Sequence, residues 1–184
     1  MLTACVVPED FVVDKNTPKV ENKHKGEAEF EAYLDRKKDK FKGKRAPNET
    51  LTTVDGQRYN LADLSGKVVL LNFWFAACKP CITEIPSLNE LQSRFGNQEF
   101  LILSISVDKE ELAKKIVKDK KIEYPVASNG NSLAKSMEVS TFPTSFLMDK
   151  NGIIREVFIG ASGFDATYTY TEVKPHIERL LGKI

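Results

Sequence analysis

VVLLNFWFAACKPC, running from Val68 to Cys81, is the stretch on which the fold turns. Its first eight residues are apolar except for Asn72, as expected of a strand covered on both faces of a sheet rather than on one. A Cys-x-x-Cys pair closes it. Beyond the pair, Ile82, Ile85, Leu88, Leu91 and Phe95 recur at spacings of three and four. The segment Cys78 to Phe95 therefore reads as one helix with a buried stripe, bent by Pro86. Leu101 to Val107 is a second apolar run, so the unit is a strand, a helix and a parallel strand.

Downstream, Leu112, Ala113, Ile116 and Val117 mark a further amphipathic helix. Thr144 to Asp149 and Ile153 to Ile159 then form a hairpin around Asn151-Gly152. A last helix, about Thr171 to Leu181, buries Val173, Ile177, Leu180 and Leu181, with Glu172 in its first turn and Gly182 after its end. Upstream, Leu51 to Val54 and Gln57 to Leu61 flank Asp55-Gly56, a dipeptide favoured in two-residue turns where both central positions take positive φ. The order predicts an α/β fold: a central mixed sheet flanked by helices, with an added N-terminal β-hairpin.

The first 45 residues differ, 20 of them being charged against 33 of the remaining 139. Residues 1–43 read as a tether with one amphipathic helix, and 44–184 as the domain. Within Glu27 to Phe41 the residues Phe30, Tyr33, Leu34 and Phe41 fall on roughly one helical face, fit to dock on the domain. Leu2-Thr3-Ala4-Cys5 reads like a bacterial lipobox, which makes Cys5 a candidate for lipidation and membrane tethering.

Composition narrows the function. The chain has 184 residues, too few for two ordinary catalytic domains, and 27 basic against 26 acidic side chains leave a net charge of +1. Such a balance supplies no field for gathering nucleic acid. No uncharged run exceeds 11 residues, against the ~20 of a spanning helix. Three cysteines do not make a disulfide scaffold, but Cys78 and Cys81 make a redox pair the leading reading. A thiol at a helix N-terminus meets unpaired backbone N–H groups and the positive end of the dipole, and Lys79 adds a cation. Cys78 is thus the expected nucleophile and Cys81, one turn on, the resolving thiol. A structural zinc site wants four ligands, and His24 and His176 stand apart in the tail and the last helix, so no metal or other cofactor is expected.

Read together with Thr141-Phe142-Pro143-Thr144, Asp149-Lys150-Asn151-Gly152 and Leu64 to Trp74, the cysteine pair resembles the thioredoxin superfamily. The likeness is to its TlpA/ResA-like extracytoplasmic thiol-disulfide oxidoreductases, in the AhpC/TSA-Redoxin-like group, and it covers about residues 43 to 184. The resemblance implies a thioredoxin-like fold, disulfide exchange with a protein substrate, an upstream thiol donor, and a periplasmic or cell-envelope location. It also implies that Pro143 is cis beside the cysteines. The backbone of Phe142, within the substrate-binding segment Thr141 to Pro143, would then pair with an extended substrate. Glu84 matches a glutamate three residues after the second cysteine, placed at i and i+3 to accept the Cys81 proton. Lys79, Pro80 and Trp74 are expected to modulate the pair.

This chain departs from the family in carrying Ala77 where tryptophan is common before the first cysteine, which leaves Trp74 as the only tryptophan and opens the rim beside Cys78. Two other readings share the scaffold. A peroxiredoxin-like thiol peroxidase wants Thr or Ser three residues before its cysteine, where Phe75 stands. A non-enzymatic binding module or copper chaperone wants a three-residue cysteine spacing and a distal histidine.

Overall fold

The computed structural model describes residues 5–6, 23–96 and 99–183. In chain order the elements are β1 (Cys5–Val6), α1 (Lys23–Phe41), β2 (Thr50–Thr52), β3 (Arg58–Asn60) and a 3-10 turn (Leu61–Leu64). Then come β4 (Val68–Trp74), α2 (Lys79–Thr83), α3 (Ile85–Phe95), β5 (Phe100–Ser106), α4 (Glu110–Lys120) and β6 (Val126–Ala127). The chain closes with α5 (Asn131–Ser136), β7 (Thr141–Phe142), β8 (Thr144–Met148), β9 (Ile154–Ile159) and α6 (Tyr168–Leu180).

Five strands form a sheet in the order β6-β5-β4-β8-β9. β4 runs parallel to β5 and antiparallel to β8, and β9 returns antiparallel on β8. This is the thioredoxin-like arrangement. Every residue of β4 is buried, which is why its sequence is a continuous apolar run rather than an alternation. Burying each such large apolar side chain stabilises by about 1.5–3 kcal/mol. Asn72 is the exception in kind, and the sheet register explains it. It lies opposite Ser104 on one side and Ser145 on the other. Ser104 Oγ donates to Asn72 Oδ1 at 3.0 Å, and Asn72 Nδ2 donates to Ser145 Oγ at 3.1 Å. A polar rung thus crosses the apolar sheet with its hydrogen bonds made, as burial demands.

The helix expected from Cys78 to Phe95 is two helices, divided at Glu84. Pro86 has no N–H for the Ile82 carbonyl, and its ring crowds that carbonyl, so the break falls a half-turn before the proline. The last helix starts at Tyr168, three residues earlier than expected. Tyr168, Thr169 and Tyr170 are poor helix formers that hide the first turn in the sequence, and α6 is held there by packing on α3. The entry hairpin is shorter than expected and its turn is not a two-residue one. Gly56 N donates to Thr53 O at 2.9 Å, Thr53 N to Gln57 O at 2.8 Å, and of Asp55 and Gly56 only the glycine has positive φ, +87°. The Thr53 hydroxyl, donating to the Asp55 carboxylate, fixes the aspartate outside the left-handed region.

α1 begins at Lys23 and docks on the domain. Tyr33 and Leu34 are buried, and the Phe41 ring meets Phe146 edge-on at 5.4 Å. Lys37 Nζ donates to Ser140 Oγ at 2.7 Å and to the Glu138 carbonyl at 2.9 Å, while Lys40 pairs with the Glu138 carboxylate at 2.6 Å. The side chain of Phe30 lies outside the described residues. So do residues 1–4, where the lipobox begins, and residues 7–22. Cys5 and Val6 are not free chain: they form β1, paired antiparallel with β7. No described helix is long and apolar enough to cross a membrane.

Candidate functional site

The C-terminal end of β4 delivers the chain into a short loop, and α2 starts at once behind it. Cys78 is the N-cap of α2, with extended backbone (φ −80°, ψ 100°), and the Cys81 amide donates to its sulfur at 3.4 Å. Pro80 suits the first turn, where an N–H would have no helical acceptor. Cys78 and Cys81 are joined as a disulfide. Both are buried, Cys78 with none of its surface exposed and Cys81 with 2%. The approach to the pair is pinned by Asp108, whose carboxylate accepts from the Ala76 amide at 2.6 Å and from Ser106 Oγ at 3.0 Å.

The Phe142-Pro143 peptide is cis. The Phe142 ring packs edge-on against Phe75 at 5.3 Å, so the loop carrying Pro143 and the loop carrying Cys78 are stacked on one another. Phe75 holds the place where a thiol peroxidase would need a hydroxyl and offers none. The carbonyl of Thr141 accepts from the Thr144 hydroxyl at 2.7 Å, which fixes the loop from its far side. Ala77 is exposed and leaves the rim beside Cys78 without a bulky cover. Lys79 is exposed too, its ammonium 5.1 Å from the centre of the Phe164 ring. Phe164 is 86% exposed, an apolar ring beside the Lys79 ammonium that nothing in the sequence singled out.

Glu84, at the break between α2 and α3, is 4% exposed. Asn72 Nδ2 donates to its Oε1 and Thr169 Oγ1 to its Oε2, each at 2.9 Å. The polar rung of the sheet thus ends on this carboxyl, and α6 completes the set. Burial raises the Glu84 pKa from 4.5 to about 7, against the opposing pull of the Asn72 and Thr169 hydrogen bonds. Burial, and after it the charge of Glu84, also pushes the Tyr124 hydroxyl well above its ordinary range. Glu84, Pro143, Ser145 and Thr169 line one cavity of about 100 Å³. Glu84 follows Cys81 by three residues, and a carboxyl whose pKa is raised by burial is a candidate for proton exchange.

The structure brings Cys78, Cys81, Glu84, Phe142 and Pro143 to one end of the sheet. It places Thr141 beside them, paired with Val6. Trp74 ends β4, 3% exposed, with its indole N–H buried and without a hydrogen-bond partner among the described residues. Sequence reasoning did not find Thr169 or Asp108, which carry no signal of their own; Asn72 had one, a polar side chain inside a fully apolar run. Among the described residues no group of three or more His, Cys, Asp or Glu is gathered for a metal. His176 Nδ1 lies 3.2 Å from the Glu156 carboxylate, on α6.

Residues 42–157 match the model of the AhpC/TSA family. A thiol-disulfide oxidoreductase ResA of Bacillus cereus is 41% identical over 120 residues, which cover 64% of this chain and 69% of the relative. One from Geobacillus thermodenitrificans is 32% identical over 140 residues, 75% of this chain and 77% of the relative. Among solved structures, the thioredoxin domain of a thiol-disulfide oxidoreductase of Bacteroides vulgatus superposes with a TM-score of 0.63 at 28% identity, covering 74% of this chain and 97% of that one.

Proposed function

The chain belongs to the AhpC/TSA family of the thioredoxin superfamily, among its ResA-like thiol-disulfide oxidoreductases, and from that premise we propose a mechanism for its cysteine pair. The observation that carries it is the Cys78–Cys81 disulfide at the N-terminus of α2, stacked through Phe75 and Phe142 against a cis-proline loop. In the reduced protein the Cys78 thiolate, favoured by the Cys81 amide and the positive end of the α2 dipole, attacks one sulfur of a substrate disulfide. The substrate's other sulfur leaves as a thiolate and takes up a proton. Cys81 then attacks the Cys78 sulfur of the mixed disulfide, releasing the second substrate thiol and forming the bond present in the structure. Glu84 accepts the Cys81 proton in that second step. Two electrons pass to the substrate, and an upstream thiol donor returns the pair to its reduced form.

Reduction of protein disulfides in the cell envelope is the direction that the family supports. Lys79 and Phe164 flank the pair on the substrate side, and Thr141 to Pro143 supply the backbone edge. The test is stoichiometric. Reduced protein mixed with a disulfide peptide should lose two free thiols per chain as the peptide gains two, and Trp74, four residues before Cys78, should change its emission in step. Identical thiol counts and emission in the two states would rule out a redox pair.

Cys5 is the proposed site of a lipid anchor, on the strength of Leu2-Thr3-Ala4-Cys5. Expressed with its upstream reading frame in a suitable bacterium, the protein should sediment with membranes and Cys5→Ser should free it. Membrane binding that survives the substitution would transfer the role to α1.

A further inference from the structure

β1 stands where the site would receive an extended chain. Cys5 pairs with Phe142 and Val6 with Thr141, antiparallel, in a two-stranded sheet separate from the five-stranded one. Phe142 opens the cis peptide and its ring rests on Phe75, three residues before Cys78. A strand edge offers unpaired N–H and C=O groups to any extended polypeptide with little regard to its side chains, and it accepts one occupant at a time.

Access makes the position consequential. Exchange requires sulfur to touch sulfur, yet Cys78 has no exposed surface in the oxidised protein. Some segment has to move before a partner sulfur arrives. Among the described residues the strands around the site differ greatly in their pairing. β8 is paired along five residues with β4 and again with β9, whereas β1 is paired through two residues on one side. A two-stranded pairing is marginal by itself in water even at hairpin length. Withdrawing β1 breaks the least.

We propose that Cys5–Val6 is a competitor built into the chain: it occupies the Thr141–Phe142 edge in the register an extended protein substrate would take, and that substrate displaces it. The partner this surface fits is an extended polypeptide segment flanking a disulfide, recognised through its main chain. The inference rests on the disulfide-exchange reading above and adds to it a cis-acting strand. A segment that fills the edge most of the time lowers the apparent affinity for substrate in proportion to the fraction of molecules left open.

The test uses the full 184-residue chain. A Cys5→Pro/Val6→Pro double substitution removes both β1 amides, so whichever of the two pairs carries the hydrogen bonds is broken. Turnover of a disulfide peptide should rise about tenfold in kcat/KM, the change expected where roughly nine molecules in ten are closed. Hydrogen exchange of the segment containing Thr141 and Phe142 should quicken, with an unchanged melting temperature showing the domain intact. In the purified, unlipidated chain Cys5→Ser keeps the main-chain pairing and should show the kcat/KM and hydrogen exchange of the unsubstituted chain. Equal kcat/KM in the double variant, unaltered exchange at Thr141 and Phe142, or full acceleration by Cys5→Ser alone would each overturn the proposal. Absence of turnover in every form would sink the disulfide-exchange reading instead, and hydrogen exchange would still decide whether β1 holds the edge.

Discussion

Cys81→Ser should accumulate covalent adducts with protein partners, and Cys78→Ser should accumulate almost none. The expectation follows from what each sulfur is placed to do. Burial does not separate them, since both are covered. Position does: Cys78 caps α2 and accepts from the Cys81 amide, so charge on its sulfur is met by the helix terminus, whereas Cys81 lies inside the first turn. Cys81 is bonded to Cys78 already in the oxidised chain, so its attack on a mixed disulfide is intramolecular and needs no encounter. Serine in its place removes that attack, and release then waits on external thiols. We expect the mixed disulfide to persist on the order of a thousandfold longer. Mass spectrometry after acid quenching and thiol blocking would count the adducts and identify the partners. Equal trapping by the two variants would show that Cys78 is not the nucleophile.

The second large effect concerns Glu84. Its folded pKa, about 7, lies above the ordinary 4.5, because burial disfavours the carboxylate more than Asn72 and Thr169 favour it. Between those values the folded protein holds a proton that the unfolded chain has released. The contribution of this group to stability is therefore fully present below about pH 4.5 and is lost as pH rises through about 7. At about 1.4 kcal/mol per pH unit the loss is roughly 3 kcal/mol. Glu84→Gln keeps the shape and cannot ionise. The oxidised variant should match the unsubstituted protein near pH 4 and exceed it by about 3 kcal/mol at pH 8, measured by urea unfolding. The same substitution should slow release of the mixed disulfide more than its formation, since a neutral amide cannot take the Cys81 proton. Parallel stability curves, or an unaltered second step in stopped flow, would remove Glu84 from the mechanism.

What the sequence disclosed depended on whether a residue's neighbours lie near it in the chain. The β4 strand, the cysteine pair and the parallel return to β5 were legible because Val68 to Ser106 is continuous, and the hydrophobic period changes inside it from strand to helix. Glu84 could be named from its spacing to Cys81. Its burial could not, because the donors that hold it come from Asn72, twelve residues back, and Thr169, eighty-five residues on. The helix read as continuous and bent at Pro86 is divided at Glu84 instead, because a proline acts on the carbonyl four residues earlier, so its effect appears upstream of itself. β6, α5 and β7 went unseen for a related reason. Two-residue strands and a six-residue helix are too short to show a period, and the two strands exist through pairing with β5 and with β1. The N-terminal segment read as a tether because Cys5–Val6 has no pattern of its own; its partner is more than 130 residues away.

The docking of α1 and α6 bears on what counts as an exchangeable module. The family match spans residues 42–157, from just after α1 ends to within β9. Inside that span lie both cysteines, Glu84 and the cis-proline. Outside it lie Thr169, one of the two donors to the Glu84 carboxyl, and Lys37 and Lys40, which fasten α1 to Glu138 and Ser140 just ahead of the cis-proline loop. The heritable signature and the working unit therefore have different borders. A recombination event, or an engineered graft, that moved residues 42–157 alone would carry the reactive groups and leave behind one side of the carboxyl's hydrogen bonding and the clasp on the loop. Its new context would have to resupply both, so this chemistry travels between proteins more readily as residues 23–183 than as the segment by which the family is recognised.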